Sequence, residues 1–268
     1  MGILLLTQST PCITIKRIGM ANRYQTFTEL QAESAIQSLE VKVGDHQAHY
    51  LKAGSGPSVV LLHGGASDSR DWLRTMVALS GSYSLYALDL IGYGLSSRDI
   101  SGHYLSDFVE FTLGFMQTLG LGPQVLVGHS LGGRVCLEIA LRHPEMVRRL
   151  ALVNTVGFSR LTRWGSFLAT AIWAVRKVLG RPQPYPKFLR NNGEDKDWLC
   201  LEELPTLKVP TLIVWKRHDP YYPLAGALKA KALIPEARLE ILPGYGHAPH
   251  MQKRDFLSSL LLSFMGHD

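Results

Sequence analysis

The sequence predicts an α/β fold: a mostly parallel central sheet of about eight strands, flanked by helices, with a compact helical cap inserted after strand six. Three observations carry this expectation. Short apolar runs recur along the chain, stretches of helical length separate them, and the alternation lapses once, between Val153 and Thr211. Strands that alternate with helices are joined by crossovers and therefore run parallel.

Taken in order, residues 1–38 match no strand pattern and read as an N-terminal extension, with a short helix expected around Glu29 to Gln37. Leu39 to Val43 and Gln47 to Leu51 predict a hairpin turned at Gly44-Asp45, and Ser58 to Leu62 reads as a buried strand between glycine-rich loops. Further strands are expected at Leu85 to Leu88, Val125 to Val127, Leu150 to Val153, Thr211 to Trp215 and Leu239 to Leu242. Helical stretches fall at about 71–80, 104–119, 131–142, 223–233 and 253–265. The core domain is accordingly 39–157 with 201–268, and the cap is 158–200.

Composition excludes several classes. The chain has 268 residues, of which 46% are hydrophobic and 19% charged, enough for one sizeable α/β domain with an insertion. Its three cysteines, Cys12, Cys136 and Cys200, are too few and too scattered for a disulfide framework or a metal knuckle, so a reducing, cytoplasmic setting is expected. The apolar run Ile3 to Leu6 is too short for a secretory signal, and no stretch is long enough for a transmembrane helix.

The net charge of +6 is unevenly placed: Arg160, Arg163, Arg176, Lys177, Arg181, Lys187 and Arg190 fall in a stretch, 159–193, without an acidic residue. A nucleic-acid binder would spread basic charge over a recognisable module, and none is present. The excess belongs to the cap.

The most informative stretch is Gly128-His129-Ser130-Leu131-Gly132, set between a strand and a helix. Glycines two positions either side of the serine allow a sharp turn that exposes its hydroxyl at the top of the sheet. A serine hydroxyl is a poor nucleophile alone and needs a base, which in turn needs an orienting acid. Both follow late strands: Lys216-Arg217-His218-Asp219-Pro220 and Pro243-Gly244-Tyr245-Gly246-His247. In a parallel sheet these loops share one edge with Ser130.

On these motifs the chain resembles the α/β-hydrolases, from about residue 39 to the C-terminus, in a serine esterase or lipase-like form with a short cap. The resemblance implies that Ser130 is the nucleophile, His247 the general base and acid, and Asp219 the residue that orients His247. Imidazoles titrate near about 6.5, which suits proton transfer at neutral pH. His63-Gly64-Gly65 matches the family's oxyanion loop, so Gly65 and Leu131 would supply the N–H donors. Asp89 to Ser96 resembles a structural turn of the family. Lys216 stands where the family often has glycine, and Ala248 follows the base where carbon–carbon hydrolases of ring-fission products often carry a bulky aromatic.

Rival assignments exist for several positions. His218 competes with His247, Asp195 or Asp197 could replace Asp219, His129 could be structural within its turn, and His250 could pair with His247 on a metal, although no further ligand completes such a site. No cofactor and no metal are expected. In the cap, Trp164 to Val175 is uncharged and aromatic, and a helix there ends near Gly180, because Pro182, Pro184 and Pro186 cannot continue it.

The aromatics either pack the cap on the core or line an acyl pocket, while the basic rim either is solvated or meets an anionic membrane surface or an acidic substrate. Candidate substrate-binding residues are Gly64, His129, Trp164, Phe167, Trp173, Tyr221 and Ala248. The expected partner is a small apolar ester, and the expected activity carboxylic ester hydrolysis through an acyl-enzyme. The alternatives are carbon–carbon bond hydrolysis and a ligand receptor that keeps the fold.

Overall fold

The structure, a computed structural model, describes residues 36–98, 104–180, 199–252 and 254–266. Its sheet contains eight strands: β1 (Gln37–Val43), β2 (His46–Ala53), β3 (Ser58–Leu62), β4 (Ser84–Leu88), β5 (Gln124–His129), β6 (Val147–Val153), β7 (Thr211–His218) and β8 (Arg238–Tyr245). Their spatial order is β1-β2-β4-β3-β5-β6-β7-β8. Pairings β1/β2 and β2/β4 are antiparallel, and from β4 to β8 every pairing is parallel.

Among the described residues the helices are α1 (Leu73–Leu79), α2 (Leu105–Thr118), α3 (Leu131–Arg142), α4 (Arg163–Val178), α5 (Leu224–Leu233), α6 (Pro249–Gln252) and α7 (Arg254–Met265). Alternation along the buried strands sends neighbours to opposite faces. Val60, Leu62, Leu126 and Leu152 join the α2, α3 and α5 side, with Phe108, Val135 and Ala227. Val59, Leu61, Val127 and Val153 join the α1 and α7 side, with Met76 and Leu261. Two apolar cores thus sandwich the sheet.

Several boundaries differ from the sequence expectation: β7 runs on to His218 and β8 to Tyr245. β1 begins at Gln37, because its pairing runs out to Gln37 opposite Lys52, beyond the apolar part that marks the strand in sequence. The helix expected near 29–37 otherwise lies outside the described residues. The stretch expected as one helix at 71–80 is a 3₁₀ turn, Ser69–Trp72, capped by Asp68, followed by α1.

The chain leaves β3 towards β4 on one side and β5 towards β6 on the other. Loops that diverge in this way open a crevice at the carboxyl edge of an α/β sheet. Gly64 and Ser130 meet there: a Cβ added to Gly64 would come within 3.4 Å of the Ser130 Cβ.

Candidate active site

Ser130 lies between β5 and α3 with φ 53° and ψ −113°. Such a backbone is strained for a residue with a Cβ and persists only where the surroundings over-determine it. Here they do. Ser130 N–H donates to the Val153 carbonyl at 3.0 Å, and Gly132 N–H to the His63 carbonyl at 3.1 Å. A Cβ on Gly132 would sit 2.5 Å from the Leu62 carbonyl oxygen, so only glycine lets α3 press this closely on β3.

His247 Nε2 lies 3.0 Å from Ser130 Oγ, and His247 Nδ1 lies 2.7 Å from Asp219 Oδ2. The Asp219 side chain is fully buried, and the His247 side chain is part-buried, 16% exposed. Asp219 Oδ1 accepts the N–H groups of Tyr221 at 2.8 Å and Tyr222 at 3.2 Å. Its Oδ2 also accepts Asn154 Nδ2 at 2.6 Å. Four donors therefore hold one carboxylate, the condition under which a buried charge is tolerated.

Asn154 carries no signal in the sequence beyond its place at the end of β6. It is fully buried with φ 42°, a left-handed conformation that asparagine adopts more readily than most residues. Its Oδ1 accepts Lys216 N–H at 3.2 Å, so one amide ties β7 to the Asp219 carboxylate.

Lys216, the departure from glycine, has a role visible in the structure. Its side chain is buried, and its ammonium donates to the Pro243 carbonyl at 3.1 Å, near the end of β8 and four residues before His247.

The loop after β3 is fixed by His63, whose Nδ1–H donates to the Gly64 carbonyl at 2.8 Å while Nε2 accepts Leu90 N–H at 3.0 Å. Gly65 packs on Leu131, with which a Cβ would make ordinary contact at 3.6 Å. Leu131 is the first residue of α3, a position whose N–H has no acceptor within a helix. Asp89 organises the neighbouring turn: its carboxylate accepts Ser69 and Leu95 N–H groups and pairs with His49, while its carbonyl accepts the Ser96 hydroxyl.

Of the rivals, His218 turns its side chain outward and contributes its carbonyl to Gly246 N–H at 3.1 Å. Asp195 and Asp197 lie outside the described residues. His250 is buried against Trp72 and His129, and among the described residues no group of three or more His, Cys, Asp or Glu side chains is placed to hold a metal. His129 is buried, and Nε2–H donates to the His247 carbonyl at 2.8 Å. Burial holds its titration well below 6.5, assisted by the facing imidazoles of His250 and His247. Tyr221 lies beside His247 at 4.8 Å between ring centroids; burial and then the Asp219 charge raise its phenol above 10.0. The Ala248 carbonyl starts the α6 turn by accepting Met251 and Gln252 N–H groups.

Within the segment 158–200 the described helix is α4. Thr162 caps it, donating its own N–H to the Tyr221 carbonyl at 2.8 Å, and Arg176 near the other end donates to the Ala66 carbonyl at 2.8 Å. Gly165 packs so closely on Tyr221 that a Cβ would sit 2.7 Å from its Cα. At about 100° per residue, Gly165 and Arg176 share one face, and Trp164, Phe167, Val175 and Val178 lie about 80° to 160° away from it. Trp164 and Phe167 are 56% and 61% exposed and stack on each other at 5.4 Å, so the structure joins them to each other rather than to the Ser130 line. Trp173 is half-buried, with the Lys177 ammonium 5.3 Å from its ring centroid.

A hydroxyl, an imidazole and a carboxylate in one hydrogen-bonded line, at the carboxyl edge of a doubly wound sheet, define an α/β enzyme of the hydrolytic class. The sequence profile of the alpha/beta hydrolase fold matches residues 57–192, and the chain belongs to that family. It is 27% identical to the dihydrolipoyllysine-residue acetyltransferase component of the acetoin cleaving system of Cupriavidus necator, covering 89% of this chain and 71% of that one. It is 26% identical to 2-hydroxymuconate semialdehyde hydrolase of Pseudomonas putida, covering 84% and 93%. Among solved structures, a carboxylesterase of Bacillus subtilis superposes with a TM-score of 0.75 at 23% identity, covering 90% of this chain and 96% of that one, which is a likeness of fold. Among the described residues no helix is long and apolar enough to cross a membrane.

Proposed function

We propose that the protein hydrolyses carboxylic esters with apolar groups through an acyl-enzyme. The observation that carries this reading is the line Ser130–His247–Asp219, with 3.0 Å and 2.7 Å separations, at a turn strained to present the serine. Ser130 Oγ attacks the ester carbonyl while His247 Nε2 takes its proton, and Asp219 stabilises the resulting imidazolium. The Gly65 and Leu131 N–H groups take the oxyanion, with the α3 N-terminus adding its dipole. His247 then protonates the leaving alcohol; water attacks the acyl carbonyl as His247 takes its proton, and that proton returns to Ser130 Oγ as the acyl–oxygen bond breaks and the acid departs. The rings of Tyr221 and Tyr222 beside His247 support an apolar acyl or alkyl group.

The Pseudomonas relative's activity favours a second reading, carbon–carbon hydrolysis, which would use the same three residues; Ala248 supports the ester. Turnover on p-nitrophenyl esters of increasing chain length tests the first reading. Sustained turnover is expected, with Ser130→Ala slower by up to about a millionfold. A single slow burst would mark a receptor, activity confined to ring-fission diketones would select the second reading, and an active Ser130→Ala would refute both.

The cap, residues 158–200 in this reading, meets an anionic lipid surface through α4. Support comes from the exposed Trp164, Phe167, Val175 and Val178, together with the exposed Arg160, Arg163 and Lys177 and the lack of acid in 159–193. A second copy of the chain would bring like charges together. The protein should sediment with phosphatidylserine-containing vesicles, less so after Phe167→Ser; equal failure with neutral and anionic vesicles would exclude this contact. Free, buried Cys136 and Cys200 support a reducing, cytoplasmic setting.

A further inference from the structure

We infer that His129 is a positioning residue for the catalytic base: its Nε2–H fixes the main chain of His247, while its ring joins the nucleophile turn to the oxyanion loop. This rests on the assignment of His247 above and adds a residue that acts only through it.

The geometry is specific. His129 is the last residue of β5 and immediately precedes the strained Ser130. Its ring reaches across to the His247 carbonyl, 118 positions later in the chain, with Nε2 at 2.8 Å. A carbonyl only accepts, so Nε2 carries the hydrogen and a neutral ring has its bare nitrogen at Nδ1. That Nδ1 has no hydrogen-bond partner among the described residues. What stands against it is Gly64, where an added Cβ would come within 2.8 Å. One imidazole therefore touches the serine turn, the histidine loop and the oxyanion loop.

The ring is itself held in a column. Trp72 stacks on His250 with centroids 4.6 Å apart, His250 lies 4.4 Å from His129, His129 lies 4.9 Å from His247, and Tyr221 closes the far end at 4.8 Å. The titratable groups facing His129 are His247, His250 and His63. Beyond His250 stands the Asp71 carboxylate, 3.6 Å from His250 Nε2. Gly246 N–H is meanwhile bonded to the His218 carbonyl. Residue 246 is thus fixed from β7, residue 247 from His129, and only the His247 side chain keeps freedom to exchange protons. A displacement of about 1 Å in a catalytic group can cost about a hundredfold in rate, which makes this carbonyl a sensitive point.

Two substitutions separate positioning from bulk. His129→Gln keeps an N–H donor at similar reach, whereas His129→Phe keeps a ring in the column and removes the donor. With a p-nitrophenyl ester, His129→Phe should lower kcat about 10- to 100-fold with KM within about twofold, and His129→Gln should restore kcat to within about threefold of the parent. Thermal midpoints of the two variants should not track this split. Equal kcat in both variants, or a change confined to KM, would overturn the inference. Nitrogen-15 spectra of the parent protein give a second reading even if His129→Phe does not fold. A His129 proton on Nε2 at pH 6 supports the assignment, and one on Nδ1, or on both nitrogens, overturns it. An active Ser130→Ala would instead remove the catalytic reading on which this one stands.

Discussion

Asn154 Nδ2 and His247 Nδ1 meet on the same oxygen of Asp219, at 2.6 Å and 2.7 Å. The asparagine fixes the carboxylate in rotation, and the imidazole reads that orientation. Asn154→Ala removes the donor and places alanine in a left-handed conformation. We expect a stability loss of about 1–3 kcal/mol and a clear fall in kcat with little change in KM. Urea unfolding alongside steady-state kinetics tests this, and an unchanged kcat would assign Asn154 to folding alone.

Gly132→Ala should be more damaging to the fold than to chemistry. Its Cβ would meet the Leu62 and His63 carbonyl oxygens at 2.5 Å and 2.6 Å, and main chain cannot step aside as a flexible side chain would. Overpacking of this kind costs about 1–3 kcal/mol or more. A thermal midpoint equal to that of the parent would show that α3 can slide away from β3.

Lys216→Met replaces a buried ammonium by an apolar chain of similar length and leaves the Pro243 carbonyl without that donor. The end of β8 and the residues to 247 should then open more often. Hydrogen exchange at the Gly246 amide, bonded to the His218 carbonyl, is the direct readout: faster exchange is expected, and unchanged protection would mean the ammonium is not what holds this segment.

Acid should weaken the fold through His129. Burial depresses its titration in the folded protein well below 6.5, so below about 6.5 the unfolded chain binds a proton that the folded chain does not. Stability therefore falls as pH falls from about 6.5, by at most about 1.4 kcal/mol per pH unit for this one group, until the folded imidazole also titrates. Urea midpoints at pH 7.5 and 5.5 should converge in His129→Gln relative to the parent. An identical acid slope in both would place the loss elsewhere.

The sheet was legible because fully buried strands such as Val125 to Val127 leave an unbroken apolar run, and because Gly44 turns the first hairpin with a positive φ that glycine permits. Gln37 and Ser38 were not legible as strand, since their pairing with β2 is a main-chain matter that polar side chains do not announce. Ser130, His247 and Asp219 were legible as a set because each follows a strand in an order that a resemblance supplies. Asn154 was not: a single amide after a strand forms no motif, and its role arises only where β6 and β7 run side by side. The direction of Trp164 and Phe167 was equally hidden. Periodicity groups them on one stripe, but which stripe faces the core was decided by Gly165 and Arg176, one with no side chain and one with a charge.

From Thr162 to Arg176 helix α4 rises about 21 Å and is anchored at both ends, on the Tyr221 carbonyl beside Asp219 and on the Ala66 carbonyl beside Gly65. It is a strut of fixed span between the loop that holds Asp219 and the loop that holds Gly65. Its length therefore sets how those two loops are spaced: one residue more or less would swing the Arg176 anchor by about 100° and leave them to find their own separation.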